Sequence, residues 1–92
     1  MYKLDFSAIA EQELNDLRSR GPASEFKKLL RILEEISQTP YGKGLGKPEP
    51  LKHNFSGWWS RQISGRYRII YQVASSDTVR IARCKYDYHK SS

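Results

Sequence analysis

The stretch Arg66–Cys84, RYRIIYQVASSDTVRIARC, contains two runs that alternate apolar and polar residues, with the polar turn Ala74–Asp77 between them. Alternation with a period of two predicts strands with one buried face, and a short turn between two such runs predicts a hairpin. We therefore predict strands over Arg66–Val73 and Thr78–Cys84. Antiparallel strands with one face covered leave the other face open, and the open face here carries arginines such as Arg68.

The chain upstream of this hairpin predicts further strands. Apolar and aromatic runs over Leu51–Phe55 and Trp58–Ile63 are separated by a Ser-Gly turn signal. Trp58 and Trp59 are adjacent, so they face opposite sides of a strand; we expect one in the core and the other on an exposed stacking surface or at an interface. A short strand is also predicted at Tyr2–Phe6.

Two helices are predicted between the first strand and the others. Ser7 is a suitable N-cap for a helix that runs to about Arg18. The second helix, roughly Pro22–Ser37, has apolar residues at the spacing of one helical face. They are Phe26, Leu29, Leu30, Leu33 and Ile36. We predict an α+β fold in which two N-terminal helices pack on one face of a small, mainly antiparallel twisted sheet, and residues 1–92 form a single domain.

Charge is unevenly distributed along the 92 residues. The chain carries 16 Lys and Arg against 10 Asp and Glu, a formal net charge of +6. Ten of the basic residues but three of the acids lie from Tyr41 onward, so the positive charge is concentrated in the predicted sheet. Such a distribution is typical of a nucleic-acid-binding face. Solubility and an acidic protein partner stay open as alternatives at this point.

Several classes of site are excluded by composition. Cys84 is the single cysteine, so the chain has no internal disulfide and no zinc site of the Cys₂His₂ or Cys₄ kind. Two histidines do not make a metal motif, and we expect neither a metal nor a cofactor. The sequence has no apolar run that could span a bilayer and no signal-peptide pattern, so we expect a cytoplasmic location and no membrane partner.

Glu49 is an isolated acid: it is the one carboxylate between residues 36 and 76, and a proline flanks it on each side. Metal-free RNA cleavage needs a base that takes the ribose 2′-OH proton, cations on the phosphate and an acid for the leaving 5′-oxygen. The pattern allows Glu49 as the base, Arg61 and Arg68 as the cations and the tail Tyr86–His89 as the acid. It is equally compatible with a solvated loop acid and ordinary surface arginines.

Four ordered motifs stand out along the chain. They are Gly46–His53 (GKPEPLKH), Ser56–Ile63 (SGxWSRxI, where x marks positions outside the motif), Tyr67–Tyr71 (YRIIY) and Cys84–Tyr88 (CKYDY). In these motifs, and in the layout of its two helices, the chain resembles the YoeB branch of the RelE-type toxins. The resemblance implies a RelE-like microbial RNase fold.

The resemblance also implies an activity and a set of site residues. It implies the toxin of a type II toxin–antitoxin system, a metal-independent endonuclease that cuts mRNA in the ribosomal 30S A site. Glu49 matches the general base, Arg68 the arginine that stabilises the transition state, and Tyr88 the terminal catalytic tyrosine. Around them we predict four substrate-binding residues, Lys52, His53, Arg61 and Arg66.

The resemblance further implies partners. These are a YefM-like antitoxin, the ribosome with its mRNA, operator DNA through the antitoxin complex, and a second copy of the chain in a homodimer. A ParE-like target is a weaker alternative, because that branch lacks the Lys-Pro-Glu-Pro-Leu-Lys-His run.

Two positions depart from the family pattern. Asp87 occupies the catalytic position at which the family carries a histidine as its proposed acid. A carboxyl group among so many cations is expected to be ionised and to donate protons poorly, so His89 is a candidate replacement acid. Gln62 replaces the second of two paired arginines, with Arg66 as the candidate substitute. An alternative function therefore stays open: a non-cleaving module that binds the ribosome, RNA or antitoxin.

Overall fold

The fold is an α+β arrangement, and the computed structural model describes residues 1–41 and 43–87. In chain order its elements are strand β1 (Lys3–Phe6), helix α1 (Ala8–Arg20), helix α2 (Ala23–Gln38), and strands β2 (Glu49–Pro50), β3 (Trp59–Gln62), β4 (Tyr67–Val73) and β5 (Thr78–Asp87). A 3₁₀ turn over His53–Phe55 connects β2 with β3. The predicted helices, the hairpin and the fold class are confirmed.

The five strands form one mixed sheet in the order β1-β5-β4-β3-β2. Strand β1 pairs with β5 in parallel, and the other three pairings are antiparallel. The two long strands β4 and β5 therefore lie in the centre, while β1 and β2 form the edges. Both helices lie against one face, which we call the covered face; the opposite face is the open face.

The helices begin and end within two residues of the predicted positions. The Ser7 hydroxyl accepts a hydrogen bond from the Ala10 amide at 3.0 Å, so it satisfies one of the free amides of the first turn of α1. The Gly21 amide donates to the Leu17 carbonyl at 3.0 Å and closes the last turn. Pro22 then directs the chain into α2.

The core lies between α2, α1 and the covered face. Its fully or almost fully buried members include Leu29, Ile32, Leu33 and Ile36 from α2 and Ile69, Tyr71, Val79 and Ile81 from the sheet. Cys84 is also fully buried, and burial together with the charge of Glu13 raises the pKa of its thiol to about 12. The cysteine therefore packs as a protonated apolar side chain.

The prediction of a strand over Leu51–Phe55 is wrong. The strand in this region is the two-residue β2, in which Glu49 lies opposite Ser60 of β3. After it the chain turns: His53 has a left-handed φ of 60°, and the 3₁₀ turn follows. The Leu51 amide donates to the Trp58 carbonyl at 2.8 Å and closes this connection.

Strand β5 contains two irregularities that the residue pattern does not reveal. Its register against β4 shifts once between Arg68 and Ile70 and again between Ile70 and Tyr71. Each shift inserts an extra residue of β5 against β4, as in a β-bulge. As a result the consecutive residues Ala82 and Arg83 both border the open face.

Candidate functional site

The open face carries a cavity of about 570 Å³, bordered by strands β2 to β5 and the 3₁₀ turn. Apolar and aromatic side chains form most of its wall. They are Leu51, Phe55, Trp58, Ile70, Ala82 and Tyr86. The polar residues of the wall are Glu49, Asn54, Ser60, Arg68 and Arg83. A concave, mainly apolar site with a few convergent polar groups is the usual form of a ligand-binding pocket.

Glu49 is at the sheet edge, where Pro48 and Pro50 restrict the backbone on both sides. Its side chain is 63% exposed, and one carboxylate oxygen, Oε2, lies 3.9 Å from Nη1 of Arg68. This distance allows an ion pair but is too long for a hydrogen bond. A substrate hydroxyl can therefore approach the Glu49 carboxylate without displacing a short bidentate ion pair with Arg68.

Arg68 reaches the same place from the centre of the sheet. It lies on β4 opposite Gln62 of β3 and Tyr86 of β5. Its Nη1 donates to the Ser60 hydroxyl at 3.4 Å, and its side chain is 21% exposed. The two residues predicted as base and cation, Glu49 and Arg68, are thus brought together on the open face.

Aromatic side chains flank this pair. Phe55 projects from the 3₁₀ turn and is 60% exposed, while Trp58 and Tyr86 line the cavity with it. Trp59 is partly buried against the core and meets Tyr41 edge to face at 6.0 Å. The two tryptophans lie on opposite sides of the sheet as predicted, Trp59 against the core and Trp58 on the cavity, but both are partly buried rather than one buried and one exposed. Exposed rings beside a cation are suited to stacking on unpaired bases.

Arg61 is not part of this cavity, and its assignment to substrate binding is corrected. It lies on the covered face and its side chain is 0% exposed. Its Nε donates to the Tyr71 hydroxyl at 3.0 Å, Nη1 to Glu35 Oε1 at 2.8 Å and Nη2 to the Thr39 carbonyl at 3.2 Å. A guanidinium with all three nitrogens engaged and no exposed surface has no free edge for a phosphate.

The buried Arg61 instead fixes the loop that leads to Glu49. Glu35 Oε1, which Arg61 contacts, also accepts from the Leu45 amide at 2.8 Å. The Tyr71 hydroxyl donates to the Pro40 carbonyl at 3.1 Å, and burial raises the pKa of this phenol against the opposing effect of Arg61. The network therefore holds the loop at Thr39 and Pro40, just after α2, and again at Leu45, before the chain enters β2.

Asp87 and Arg66 are likewise outside the cavity. Asp87 lies opposite Tyr67 and borders a polar cleft between α1 and the sheet, together with Lys85 and Asp16. Its Oδ2 accepts from Arg66 Nε at 2.8 Å, and this bond raises the pKa of the Arg66 guanidinium. The structure thus pairs the predicted acid with the predicted substitute cation, away from Glu49 and Arg68.

The remaining predicted residues divide into two groups. Lys52 and His53 are exposed at the start of the 3₁₀ turn, next to residues that line the cavity but not in its wall. Tyr88 and His89 lie outside the described residues. Their predicted roles as catalytic tyrosine and replacement acid stay predictions.

Sequence reasoning missed Ser60 and Arg83 as parts of the site. Ser60 lies within the Ser56–Ile63 motif but was given no role there, and its register opposite Glu49 reveals it. Arg83 reaches the open face because of the irregularities in β5. A basic residue close to the strand end was the one available signal.

Within residues 1–41 and 43–87, no group of three or more His, Cys, Asp or Glu side chains is arranged to hold a metal ion. In the same part of the chain, neither helix combines the length and apolar character needed to cross a membrane.

Comparison with known proteins identifies the family. Residues 13–88 match a family model described as the YoeB-like toxin of bacterial type II toxin–antitoxin systems. The chain belongs to this family. The YoeB-like segment includes every residue of the cavity wall, so the site lies in the part of the chain that defines the membership.

Individual relatives agree with this membership. Toxin YoeB of Escherichia coli O6:H1 is 48% identical over 62 residues, which cover 67% of this chain and 71% of that protein. The structure of the YoeB dimer from Staphylococcus aureus is 32% identical, with a TM-score of 0.82 over 95% of this chain and 98% of that one. The heterotetrameric YoeB-YefM toxin–antitoxin complex from the same organism has a TM-score of 0.81 at 32% identity, covering 96% and 99% of the two chains. The resemblance to YoeB and RelE-type toxins is confirmed.

Proposed function

We propose that this YoeB-like toxin is an endoribonuclease that cuts mRNA in the ribosomal A site, with Glu49 as the general base. The observation that supports the proposal most directly is the approach of Glu49 to Arg68, 3.9 Å apart, beside an open cavity lined with aromatic residues. A carboxylate, a cation and stacking surfaces are the groups that cleavage of a single-stranded RNA requires.

The base step uses the exposed carboxylate of Glu49. The carboxylate takes the proton of a ribose 2′-OH, and the 2′-oxygen attacks the adjacent phosphorus. The bond from phosphorus to the 5′-oxygen of the next nucleotide breaks, which leaves a 2′,3′-cyclic phosphate and a 5′-hydroxyl. General-base catalysis of this kind contributes about 10²–10⁴-fold to a rate. Since the nucleophile is the RNA's own hydroxyl, no activated water is needed.

Arg68 stabilises the charge that develops on the phosphate oxygens in the transition state. A guanidinium presents N–H donors in a planar fork that matches two phosphate oxygens. Ser60 holds one edge of this fork by accepting from Nη1, so the cation is oriented before the substrate arrives. Fixed donors aimed at developing charge contribute about 2.7–4 kcal/mol each in other enzymes.

The leaving 5′-oxygen needs a proton from a third group. Asp87 is directed to Arg66 in the polar cleft, so we do not assign the acid to it. We assign the acid to the segment that follows, in which Tyr88 matches the terminal catalytic tyrosine of the family and His89 is the further candidate.

The partners that we propose follow from the relatives. A YoeB from Staphylococcus aureus is known as a dimer and in complex with YefM, and we propose a homodimer and a YefM-like antitoxin for this chain. The other proposed partners are the ribosome with its mRNA and, when the toxin is bound to its antitoxin, operator DNA. The chain would act in the cytoplasm, where its ribosomal substrate is.

Mapping of mRNA 5′ ends after induced expression tests this function. We expect new 5′ ends inside translated codons and growth arrest that co-expression of the antitoxin relieves. Glu49→Gln should abolish the new ends while the protein still folds, because the side chain is 63% exposed and makes no short hydrogen bond to residues 1–41 or 43–87. If Glu49→Gln cut as the wild type does, Glu49 would not be the base.

A second function is favoured by one observation, the pairing of Asp87 with Arg66. If the family's acid position is structural in this chain, the protein is a module that binds the ribosome or RNA without cutting. Growth arrest without new 5′ ends in the same experiment would establish this alternative.

A further inference from the structure

Glu13 of α1 completes an unfinished edge of β5. Strand β1 pairs with β5 from Thr78 to Ile81 and ends there. Beyond that point Glu13 Oε1 accepts from the Cys84 amide at 2.9 Å and the Lys85 amide at 3.1 Å. The carboxylate therefore takes the hydrogen bonds that the carbonyl groups of a longer β1 would take.

The same carboxylate binds the side chain of Arg83. Its Oε2 accepts from Arg83 Nε at 3.0 Å and from Nη2 at 2.6 Å. This contact raises the pKa of the Arg83 guanidinium, which stays charged. Glu13 is 15% exposed and Arg83 35%, so the pair is only partly accessible to water. The guanidinium also lies 5.3 Å from the centre of the Tyr86 ring.

Arg83 is one of two arginines that line the cavity, the other being Arg68. In the register of the sheet it lies opposite Ile70, two residues along β4 from Arg68. Two residues of a strand span about 7 Å. The two arginines therefore enter the cavity from different positions along neighbouring strands, which suits contacts with different groups of one RNA backbone.

The two other arginines predicted to bind substrate do not compete for this role. Arg61 is buried under the sheet, Arg66 is paired with Asp87, and position 62 carries a neutral glutamine. We propose that Arg83 is a second cation that binds the RNA backbone in this cavity, and that Glu13 is the residue that positions it. The inference rests on the proposed function, since it adds a contact to the same site.

The contact with Glu13 orients the Arg83 guanidinium and leaves one of its edges for a ligand. An arginine has five N–H donors, and the contacts with Glu13 engage its Nε and Nη2. Nη1 is left as the edge available to a ligand, since no acceptor among the described residues is hydrogen-bonded to it. A side chain fixed in this way loses little further freedom when it meets a phosphate.

Binding of a non-cleavable RNA tests the contact. The probe is a short single-stranded oligoribonucleotide with 2′-O-methyl sugars, and its affinity is measured over a range of salt concentrations. Each phosphate contact on single-stranded RNA contributes about 0.7 to the slope of log affinity against log salt. Arg83→Met should reduce that slope by about this amount, and Arg83→Lys should preserve it. Arg80→Met is the matched control, because Arg80 is exposed on β5 and does not line the cavity.

Glu13→Gln tests the positioning role. The amide oxygen of glutamine still accepts from the backbone of β5, but the charged partner of Arg83 is lost. We expect cleavage on programmed ribosomes to fall by up to about 10²-fold, the loss that a misplaced substrate can cause, with the salt slope undiminished because Arg83 keeps its charge. A smaller salt slope of RNA binding for Glu13→Gln would contradict the proposal that Arg83 contacts the RNA and Glu13 only positions it.

The outcomes separate this inference from the proposed function. If the wild type cleaves and Arg83→Met retains both rate and slope, or if Arg80→Met lowers the slope equally, the Arg83 contact is wrong. If the wild type does not cleave, the proposed function fails. A slope that Arg83→Met lowers while Arg80→Met does not would then still support the contact.

Discussion

Two arginines on neighbouring strands show how differently the two faces of the sheet use one residue type. Arg61 of β3 lies on the covered face, fully buried and bonded to a carboxylate, a hydroxyl and a carbonyl. Arg68 of β4 lies on the open face, beside Ser60 and 3.9 Å from Glu49. One cation holds a loop in place, and the other faces a cavity.

The difference teaches that a charge must be assigned to a face before it is assigned a function. Arg61 is two residues from Trp59 in β3 and two residues from Ile63 just after it, so it shares the covered face with these two core residues. The strand therefore carries its cation among core residues, where a guanidinium is stable only when its hydrogen bonds are satisfied. Four substitutions sharpen this contrast.

Arg68→Met should have the largest effect, on catalysis alone. Methionine keeps the unbranched apolar stem but removes the charge that stabilises the phosphate. We expect the single-turnover cleavage rate on programmed ribosomes to fall about 10²–10³-fold, with little change in the urea midpoint of unfolding. Arg80→Met is the control for loss of an exposed arginine. If Arg68→Met cleaved at the wild-type rate, Arg68 would not be the residue that stabilises the phosphate.

Arg61→Met should act on stability instead. The Tyr71 hydroxyl and the Thr39 carbonyl lose their donor inside the protein, whereas Glu35 is partly exposed and can rehydrate. We expect a loss of about 2–3 kcal/mol in the free energy of unfolding, measured by urea titration. The salt dependence of RNA binding should not change. A reduced salt slope with intact stability would mean that Arg61 contacts RNA after all.

Gly44→Ala should have a smaller effect on the same network. Gly44 has a φ of +146°, and a Cβ there would lie 2.5 Å from Glu35 Oε1 and 2.8 Å from Arg61 Nη1. Both atoms are held by the buried network, so they move at a cost, and we expect a loss of about 1–2 kcal/mol. Gly65→Ala is the matched control, because a Cβ there meets no atom within 4 Å. Equal stabilities of the two variants would mean that the loop is not held.

Asp87→Asn should have the smallest effect. The asparagine oxygen can still accept from Arg66, whose side chain is half-exposed, so water replaces much of what the charge contributes. We expect the cleavage rate to change by less than about twofold and the melting temperature to be nearly unchanged. A tenfold loss of cleavage would mean that Asp87 takes part in the reaction.

The sequence predicts the fold better than it predicts the site. The period-two runs of the hairpin and the apolar face of α2 indicate their elements directly, because burial of one face sets the pattern. The stretch Leu51–Phe55 looks like a strand but turns at His53, whose left-handed backbone no apolar pattern signals. The covered position of Arg61 was readable in principle, because Arg61 is two residues from both Trp59 and Ile63 and therefore lies on their side of the strand.

The placement of Arg83 was not readable. Simple alternation along β5 fails there because one extra residue is inserted against β4, and a second insertion restores the alternation, so Asp87 lies on the same side of the sheet as Val79 and Ile81. Such insertions depend on contacts made across the sheet and with α1, notably the bonds that Glu13 makes to Cys84 and Lys85. The sequence signals a basic strand end, but only the register decides which of its side chains line the cavity that Glu49 borders.

The prolines beside Glu49 have a consequence for self-association. Strand β2 is the outer edge of the sheet, and exposed edges are templates on which other chains aggregate. An edge of two residues, with Pro50 lacking an amide hydrogen, offers almost nothing for a foreign strand to pair with. The toxin can therefore keep its carboxylate at an uncovered border of the sheet without inviting amyloid-like stacking there.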